Sequence, residues 1–340
     1  MLVVYDSGLS GYHEIKPISY TTEEWYNDIG KFTLIVAPSK YNIAHLKKGA
    51  ILFRTVIKQA MVITRVSPDT SQDRITINGF TANWILNKRA IAVAATIATV
   101  EADIYAAITS NLRELPNVIT ATLKALTESF SAILHGGQML TEFIKILDAV
   151  ELGQKMYLDV KTKKLVFEIY KGRDLTTGSH AVIFSDEQGT ARDLKIEDDE
   201  STFSNVCYVI GTLSDETSVV RTVGTATGAD RFEYWIDSRL KQGNDEPIED
   251  FYARLDSRGI AEIAKRVRDI GFSVRVDPGE YGKRYTMGDK VVCVSKRFGI
   301  AFIAKINGVK RTQQAQSETV NIILGEPQLT LIGEIKLWLK

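Results

Sequence analysis

The stretch Phe32-Thr33-Leu34-Ile35-Val36-Ala37-Pro38 decides the fold class. Phe32, Leu34 and Val36 fall at a period of two, which places them on one face of a strand. Pro38 has no amide proton for a ladder and closes the run. Working outward, Gly49 opens a second apolar run, Ala50-Ile51-Leu52-Phe53. Met61-Val62-Ile63-Thr64-Arg65-Val66 and Arg74-Ile75-Thr76-Ile77-Asn78-Gly79 flank the polar segment Ser67 to Asp73, the pattern of a hairpin. Strands this short and this closely spaced predict a barrel or sandwich rather than a parallel sheet. The far end of the chain repeats the signature. Tyr285-Thr286-Met287-Gly288-Asp289-Lys290-Val291 leads into Val292-Cys293-Val294, then Gly299 to Ile306, then Thr319 to Gly325.

Between these ends the pattern changes. Val100, Ile104, Ile108 and Leu112 recur every four residues and predict a helix over 99–115. Thr99 is its N-cap, with Glu101 and Asp103 in the first turn, and Pro116 ends it. Ala102 stands where a capping box needs an acid or amide. A second helix is predicted from about Gln138 to Ala149, with Leu140, Phe143, Ile144 and Leu147 on one face. Met156 to Val160 and Leu165 to Tyr170, joined by a basic turn, read as a hairpin. Val182 to Ser185 and Asn205 to Gly211 read as further strands. The longest helical pattern runs from Pro247 to Ile270, with a skip at Gly259. It is one amphipathic helix, or two broken at Gly259, covering a sheet. Nucleic-acid contact through its Arg254, Arg258, Lys265, Arg266 and Arg268 face is the minor alternative.

At 340 residues the chain has room for two or three domains. Lysine plus arginine equals aspartate plus glutamate at 42 each, which argues against a protein that binds nucleic acid by neutralising phosphates. Cys207 and Cys293 both lie in apolar runs and read as small buried strand residues, not as a disulfide or metal pair. The N-terminus shows no signal peptide and no apolar run reaches the length of a membrane span, so the chain is expected to be made in a cytoplasm.

The search for chemistry leaves no catalytic, cofactor-binding or metal-ligating residue to put forward. His13, His45, His135 and His180 are far apart in the chain and lack a metal-site spacing. No Gly-x-Ser-x-Gly elbow occurs, and Gly224-Thr225-Ala226-Thr227-Gly228-Ala229 lacks the lysine of a phosphate loop. The acidic run Asp198-Asp199-Glu200 reads as exposed loop rather than a metal site, and Glu197 to Glu200 lacks the spacing of a calcium loop. Trp25, Trp84, Trp235 and Trp338 are packing anchors or sugar-stacking platforms, with packing favoured.

Three segments carry a resemblance. The first is Phe32-x-Leu34-x-Val36-x-Pro38 with Asn42, Leu46 and Gly49, continuing through Val62-Ile63-Thr64-x-Val66 and Ile75-x-Ile77-x-Gly79 to Trp84-Ile85-Leu86-x-x-Arg89. The second is Ser204-Asn205-Val206-x-Tyr208-Val209-x-Gly211. The third is Tyr285-x-Met287-Gly288-Asp289-x-Val291 with Gly299-Ile300 and Val320-x-Ile322-x-Leu324-Gly325. In this order they resemble the siphophage tail proteins of the baseplate-hub type, found in phages, prophages and phage-tail-like bacteriocins.

The resemblance implies a mixed β and α+β fold, with two antiparallel β-barrels of tail-hub type plus an inserted α/β domain. Residues 1–95 would form the first barrel, and 186–230 with 281–330 the second. Residues 96–185 with 231–280 would form the mixed domain, and 331–340 a C-terminal tail. It implies a homotrimer without cofactor or catalysis, whose six barrels adapt a hexameric tail tube to a threefold tip or spike in the virion tail. The tail tube or distal tail protein and the tip, spike or receptor-binding proteins would be its partners. DNA would pass through the channel without sequence-specific binding, which a neutral to acidic lining allows. Many relatives carry a C-terminal peptidase or lysozyme-like extension; here the sequence stops at Lys340, so lytic activity is expected to reside elsewhere. A tail-tip glycan-binding protein is the alternative reading, and a cell-wall-degrading tail enzyme the third.

Overall fold

The computed structural model of the chain describes residues 1–115, 117–266, 269–314, 317–325 and 328–329, and for 196–199, 269–272, 300 and 328–329 it describes the backbone. Pro116, Val267, Arg268 and the tail 331–340, all used in the sequence reading, lie outside the described residues. The chain divides into two units, Met1–Lys195 with Phe272–Lys340, and Ile196–Gly271.

The first unit opens with β1 (Leu2–Tyr5), β2 (Tyr12–Ile15), β3 (Ser19–Trp25) and β4 (Lys31–Val36). A one-and-a-half-turn helix α1 (Lys40–His45) follows, capped by the Ser39 hydroxyl, which accepts from the Asn42 amide. Then come β5 (Ile51–Arg54), β6 (Gln59–Asp69) and β7 (Arg74–Thr81). The alternation in β4 is realised: Phe32, Leu34 and Val36 are buried while Thr33 and Ile35 are partly covered. These strands pair antiparallel in the order β3-β4-β7-β6-β5-β1-β2. Ile15 of β2 and Tyr20 of β3, at opposite ends of that path, lie in one core with Leu34, Leu52, Met61 and Ile77. The sheet therefore wraps around its own apolar face.

A second core follows in the same unit. It is built by β8 (Ala95–Thr99), α2 (Val100–Asn111), β9 (Val118–Thr120), β10 (Ser129–Leu134), α3 (Met139–Ala149), β11 (Gly153–Asp159) and β12 (Lys164–Tyr170). Both predicted helices form, and Ile104, Ile108, Phe143 and Leu147 meet Phe167 of the hairpin β11–β12. Thr99 does not cap α2 through its side chain. Asp103 reaches back instead, its Oδ2 accepting from the amides of Ala98 (2.8 Å) and Thr99 (2.7 Å).

After β13 (Ile183–Ser185) the chain enters the second unit at Ile196, within β14 (Arg192–Asp199). There β15 (Val206–Thr212) lies between antiparallel β16 (Ser218–Val223) and parallel β17 (Glu233–Lys241). Strand β15, which the resemblance groups with 281–330, thus pairs with β16 and β17 inside this unit. Helix α4 (Ile248–Ile263) covers one face, burying Phe251 and Leu255 against Cys207 and Val209. It runs unbroken through Gly259. A Cβ there would lie 2.8 Å from Val223 Cγ2 and 2.9 Å from Val209 Cγ2, so the glycine lets the helix pack closely on the sheet.

The chain returns to the first unit through β18 (Asp269–Val276), β19 (Lys290–Ser295), β20 (Ile300–Gln314), β21 (Ser317–Leu324) and β22 (Gln328–Leu329). The first half of β20 pairs with β19 and its second half with β21. That second half also pairs with β3, from Gly308 opposite Trp25 to Gln314 opposite Ser19. The two β-rich ends of the chain thereby share one hydrogen-bonded sheet, ordered β14-β18-β21-β20-β3-β4-β7-β6-β5-β1-β2. The fold is mostly β with few helices.

Candidate functional site: the seam between the two β-rich ends

The β3–β20 ladder places charged side chains from both ends of the chain together. Arg311 of β20 is buried, and its Nη1 donates to Glu318 Oε1 at 3.1 Å. Arg54 of β5 reaches the same carboxylate with Nη1 at 2.9 Å and Nη2 at 2.8 Å. Burial alone would raise the Glu318 pKa; the hydrogen bonds and charge of Arg54, joined by Arg311, outweigh it and hold the group low. Glu24, opposite Val309 on the seam, goes the other way. Desolvation raises its pKa, against the opposing pull of Arg311, the Gln59 side chain and Arg54. The Arg311 guanidinium lies 4.7 Å from the centre of the Tyr281 ring.

Tyr26 pins the seam to the middle of the chain. Its amide donates to the Asn307 carbonyl at 2.8 Å, and its own carbonyl accepts from the Gln154 amide at 2.8 Å. The buried hydroxyl lies 3.2 Å from the Tyr170 carbonyl and 3.3 Å from that of Glu151, and accepts from the Gly172 amide at 3.1 Å. Glycines make room for the ring: a Cβ on Gly153 would lie 2.1 Å from Tyr26 Cε2, and one on Gly288 2.2 Å. Gly288 also has φ +88°, a region that L side chains avoid. Beside it, Asp289 is buried and fully used. Its Oδ1 accepts from the Arg173 amide (2.8 Å) and its Oδ2 from the Thr286 amide (2.9 Å) and Arg173 Nη2 (2.6 Å). These contacts give the Met287-Gly288-Asp289 signature its physical reason.

Next to the seam opens a cleft of about 610 Å3. Its lining comes from three distant parts of the chain: Glu24 to Asn83, Gln154 to Tyr170, and Pro278 to Arg311. Asn83 is buried and donates through Nδ2 to Gln154 Oε1 at 2.9 Å. Asn83 Oδ1 and Arg311 Nε have no hydrogen-bond partner among the described residues.

The residues singled out in the sequence fall elsewhere or do other work. Cys207 and Cys293 are free and buried, and burial pushes both thiols up in pKa. His13 and His45, distant in the chain, stack with ring centroids 3.3 Å apart, while Tyr41 hydrogen-bonds His13 Nδ1 at 3.0 Å. No periodicity announces that pairing, because it depends on how α1 folds back on β2. Trp84 stacks on Phe80, Trp25 is partly buried and lines the cleft, and Trp235 is exposed on β17 of the second unit. Trp338 lies outside the described residues. Asp198 and Asp199 belong to strand β14 rather than a loop. Among the described residues no group of three or more potential metal ligands occurs, and no helix is long and apolar enough to cross a membrane.

The fold is similar to that of the tail protein from Neisseria meningitidis MC58, at 11% identity, covering 96% of this chain and 96% of that one, with a TM-score of 0.56. It is similar to the 43 kDa tail protein of prophage MuSo2 from Shewanella oneidensis, at 12% identity, covering 96% and 98%, with a TM-score of 0.57. Prophage tail protein gp18 from Listeria monocytogenes EGD-e matches at 13% identity over 99% and 98%, with a TM-score of 0.50. At these identities the likeness is one of fold. No curated protein sequence matches the chain. The family model of the siphovirus ReqiPepy6 Gp37-like proteins matches residues 1–326, nearly the whole length. With the tail-protein fold and the sequence signatures in agreement, the chain belongs to this family of siphovirus tail proteins.

Proposed function

We propose that this tail protein is the hub of a phage tail tip or baseplate, or of a phage-tail-like particle, and that it acts structurally without catalysis. Three copies close a ring. Each subunit presents two β modules to a hexameric tail tube or distal tail protein on one side and to a threefold tip, spike or receptor-binding protein on the other. The first module is residues 1–95; the second is residues 281–330 with β13, β14 and β18. Each curls into a barrel in the assembled ring. DNA passes through the channel without sequence readout.

The observation that carries this reading is the β3–β20 ladder. An adaptor between sixfold and threefold symmetry needs two β modules in each subunit at a fixed spacing. Seven consecutive residue pairs, Trp25–Gly308 to Ser19–Gln314, join the two ends without a hinge. Wrapping also covers strand edges that would otherwise template aggregation.

Native mass spectrometry of the full chain tests the stoichiometry. The expected main species is three times the 37.9 kDa subunit, alone or on addition of the tail tube protein. One-copy species at every concentration, with and without that protein, would overturn the ring. Turnover of purified peptidoglycan by the chain would overturn the non-catalytic assignment.

A further inference from the structure

We propose that the pocket between β1, β2 and α1 binds a compact, multiply charged phosphate ligand, and that its histidine pair takes up a proton on binding. The pocket has a volume of about 570 Å3, within the range of small-molecule sites. It shares no lining residue with the cleft at the seam.

Its cations come from two segments. His13 stands on β2, His45 ends α1, and Lys47 and Lys48 follow that helix. The two lysine side chains have no ion pair among the described residues. Asp6 is the one carboxylate in the lining, and its own loop engages it. Its Oδ1 accepts from the amides of Gly8 and Ser10, both at 2.9 Å, and its Oδ2 from the Ser10 hydroxyl at 2.7 Å. Lys163, on the turn between β11 and β12, acts on the same carboxylate. Two lysines against one aspartate leave the pocket positive even with both imidazoles neutral.

The histidine pair adds to this when it is protonated. The rings stack with centroids 3.3 Å apart and planes 21° from parallel. Two imidazolium charges at that spacing repel, so a proton on one ring opposes a proton on the other. Desolvation lowers the His45 pKa, and the charges of His13 and Lys47 lower it further. The Tyr41 hydroxyl, 3.0 Å from His13 Nδ1, is a neutral partner, and neither ring has a carboxylate partner among the described residues. Tyr5, Asp6, Tyr41, Lys47 and Lys48 are the titratable groups around the pair. An anion in the pocket supplies the missing countercharge. It favours the protonated pair, so affinity rises as pH falls through the imidazole range near about 6.5.

The donors select the kind of anion. No arginine lines the pocket, so the planar fork that matches a carboxylate is missing. Lysine ammonium groups are point charges with three donors each, and with the Ser7 hydroxyl they suit the several oxygens of a tetrahedral anion. The cations converge on one pocket. A nucleic-acid strand spreads its charge along its backbone and needs a groove that tracks it.

The test titrates the full chain with trimetaphosphate by calorimetry. This cyclic trianion keeps its charge between pH 5 and 8, so any pH dependence belongs to the protein. Binding is expected about tenfold tighter at pH 5.5 than at pH 8, with proton uptake seen by comparing buffers of different ionisation enthalpy. Lys47→Gln with Lys48→Gln weakens binding about tenfold. His13→Asn with His45→Asn removes the pH dependence. Lys241→Gln, in the second unit, changes neither. Circular dichroism confirms that each variant is folded. Absence of binding at pH 5.5 would overturn the proposal, as would equal affinity at the two pH values or a double lysine variant that binds as tightly as the parent. A thymidine tetranucleotide that binds more tightly than trimetaphosphate would overturn the compact ligand in favour of a nucleic-acid strand.

Discussion

Arg54 and Glu318, 264 positions apart, face each other through two hydrogen bonds of 2.9 and 2.8 Å. The pair ties β5 near the start of the chain to β21 near its end. The Glu318 side chain is 24% exposed, but Arg311, which shares it, is only 5% exposed. Removing the carboxylate leaves a buried guanidinium without its ion-pair partner, the costly half of a broken pair. Glu318→Gln is therefore expected to lower unfolding free energy by about 2–3 kcal/mol at pH 7. The low Glu318 pKa gives the pH dependence a sign. Its contribution is fully present above the unfolded value of about 4.3 and is lost as pH falls through the folded one. Urea denaturation of both proteins at pH 7 and pH 3 checks this: the gap should narrow at the lower pH.

Glu24 carries the opposite sign. A raised carboxyl favours folding while protonated and costs stability as pH rises through its folded pKa. Glu24→Gln mimics the protonated form. Thermal melts should show the variant at least as stable as the parent at pH 7.5, with any advantage gone below about pH 4. A clear loss of stability at pH 7.5 would mean that the carboxylate is held by attraction rather than tolerated.

The contact of Tyr26 with Gly288 predicts a graded series. Gly288→Ala combines a φ of +88° with a methyl driven into the ring, and should cost about 3 kcal/mol or more. Tyr26→Phe keeps the packing and loses the hydroxyl, leaving the Gly172 amide unpaired. That change should cost about 1–2 kcal/mol. Denaturant midpoints order the two variants, and the reverse order would contradict the assignment of the glycine.

Both cysteines should be inert in the folded chain. The thiolate is the reactive form, and burial raises the pKa of each thiol. Iodoacetamide at pH 8 is expected to label neither Cys207 nor Cys293 within an hour, and to label both once the chain is denatured. Peptide mass spectrometry reads the sites separately, one in each unit.

The sequence was most legible where one face of an element is apolar and the other polar. The strands around Leu34, Met61 and Ile77 and the helices around Ile104 and Phe143 announce themselves by period alone. Strand β20 was half legible. Ile300 to Ile306 is mostly apolar, but Asn307-Gly308-Val309-Lys310-Arg311-Thr312-Gln313-Gln314 is mostly polar and carries no local strand signal. Its strand identity comes from neighbours β3 and β21, a tertiary fact that no local window contains. Strand β17 escaped notice in the same way, with alternating Glu233, Trp235 and Asp237 exposed on one face. The seam was illegible for a related reason. Arg54, Arg311 and Glu318 look like ordinary surface charges until pairing brings them together. The Gly288-Asp289 signature was visible as a pattern, but its cause, the Tyr26 ring, lies far away in the sequence.

Strand β20 has a mechanical consequence. Fifteen residues in extended conformation span about 50 Å. Along that length the strand hands over its partners, from β19 to β3 and β21, at an irregularity between Ile306 and Gly308. Force applied along it from either end loads the ladder in shear, so many hydrogen bonds must yield together rather than one after another. The strand is a tension member running from one β-rich end to the other. A pull on one end reaches the other before either can unzip.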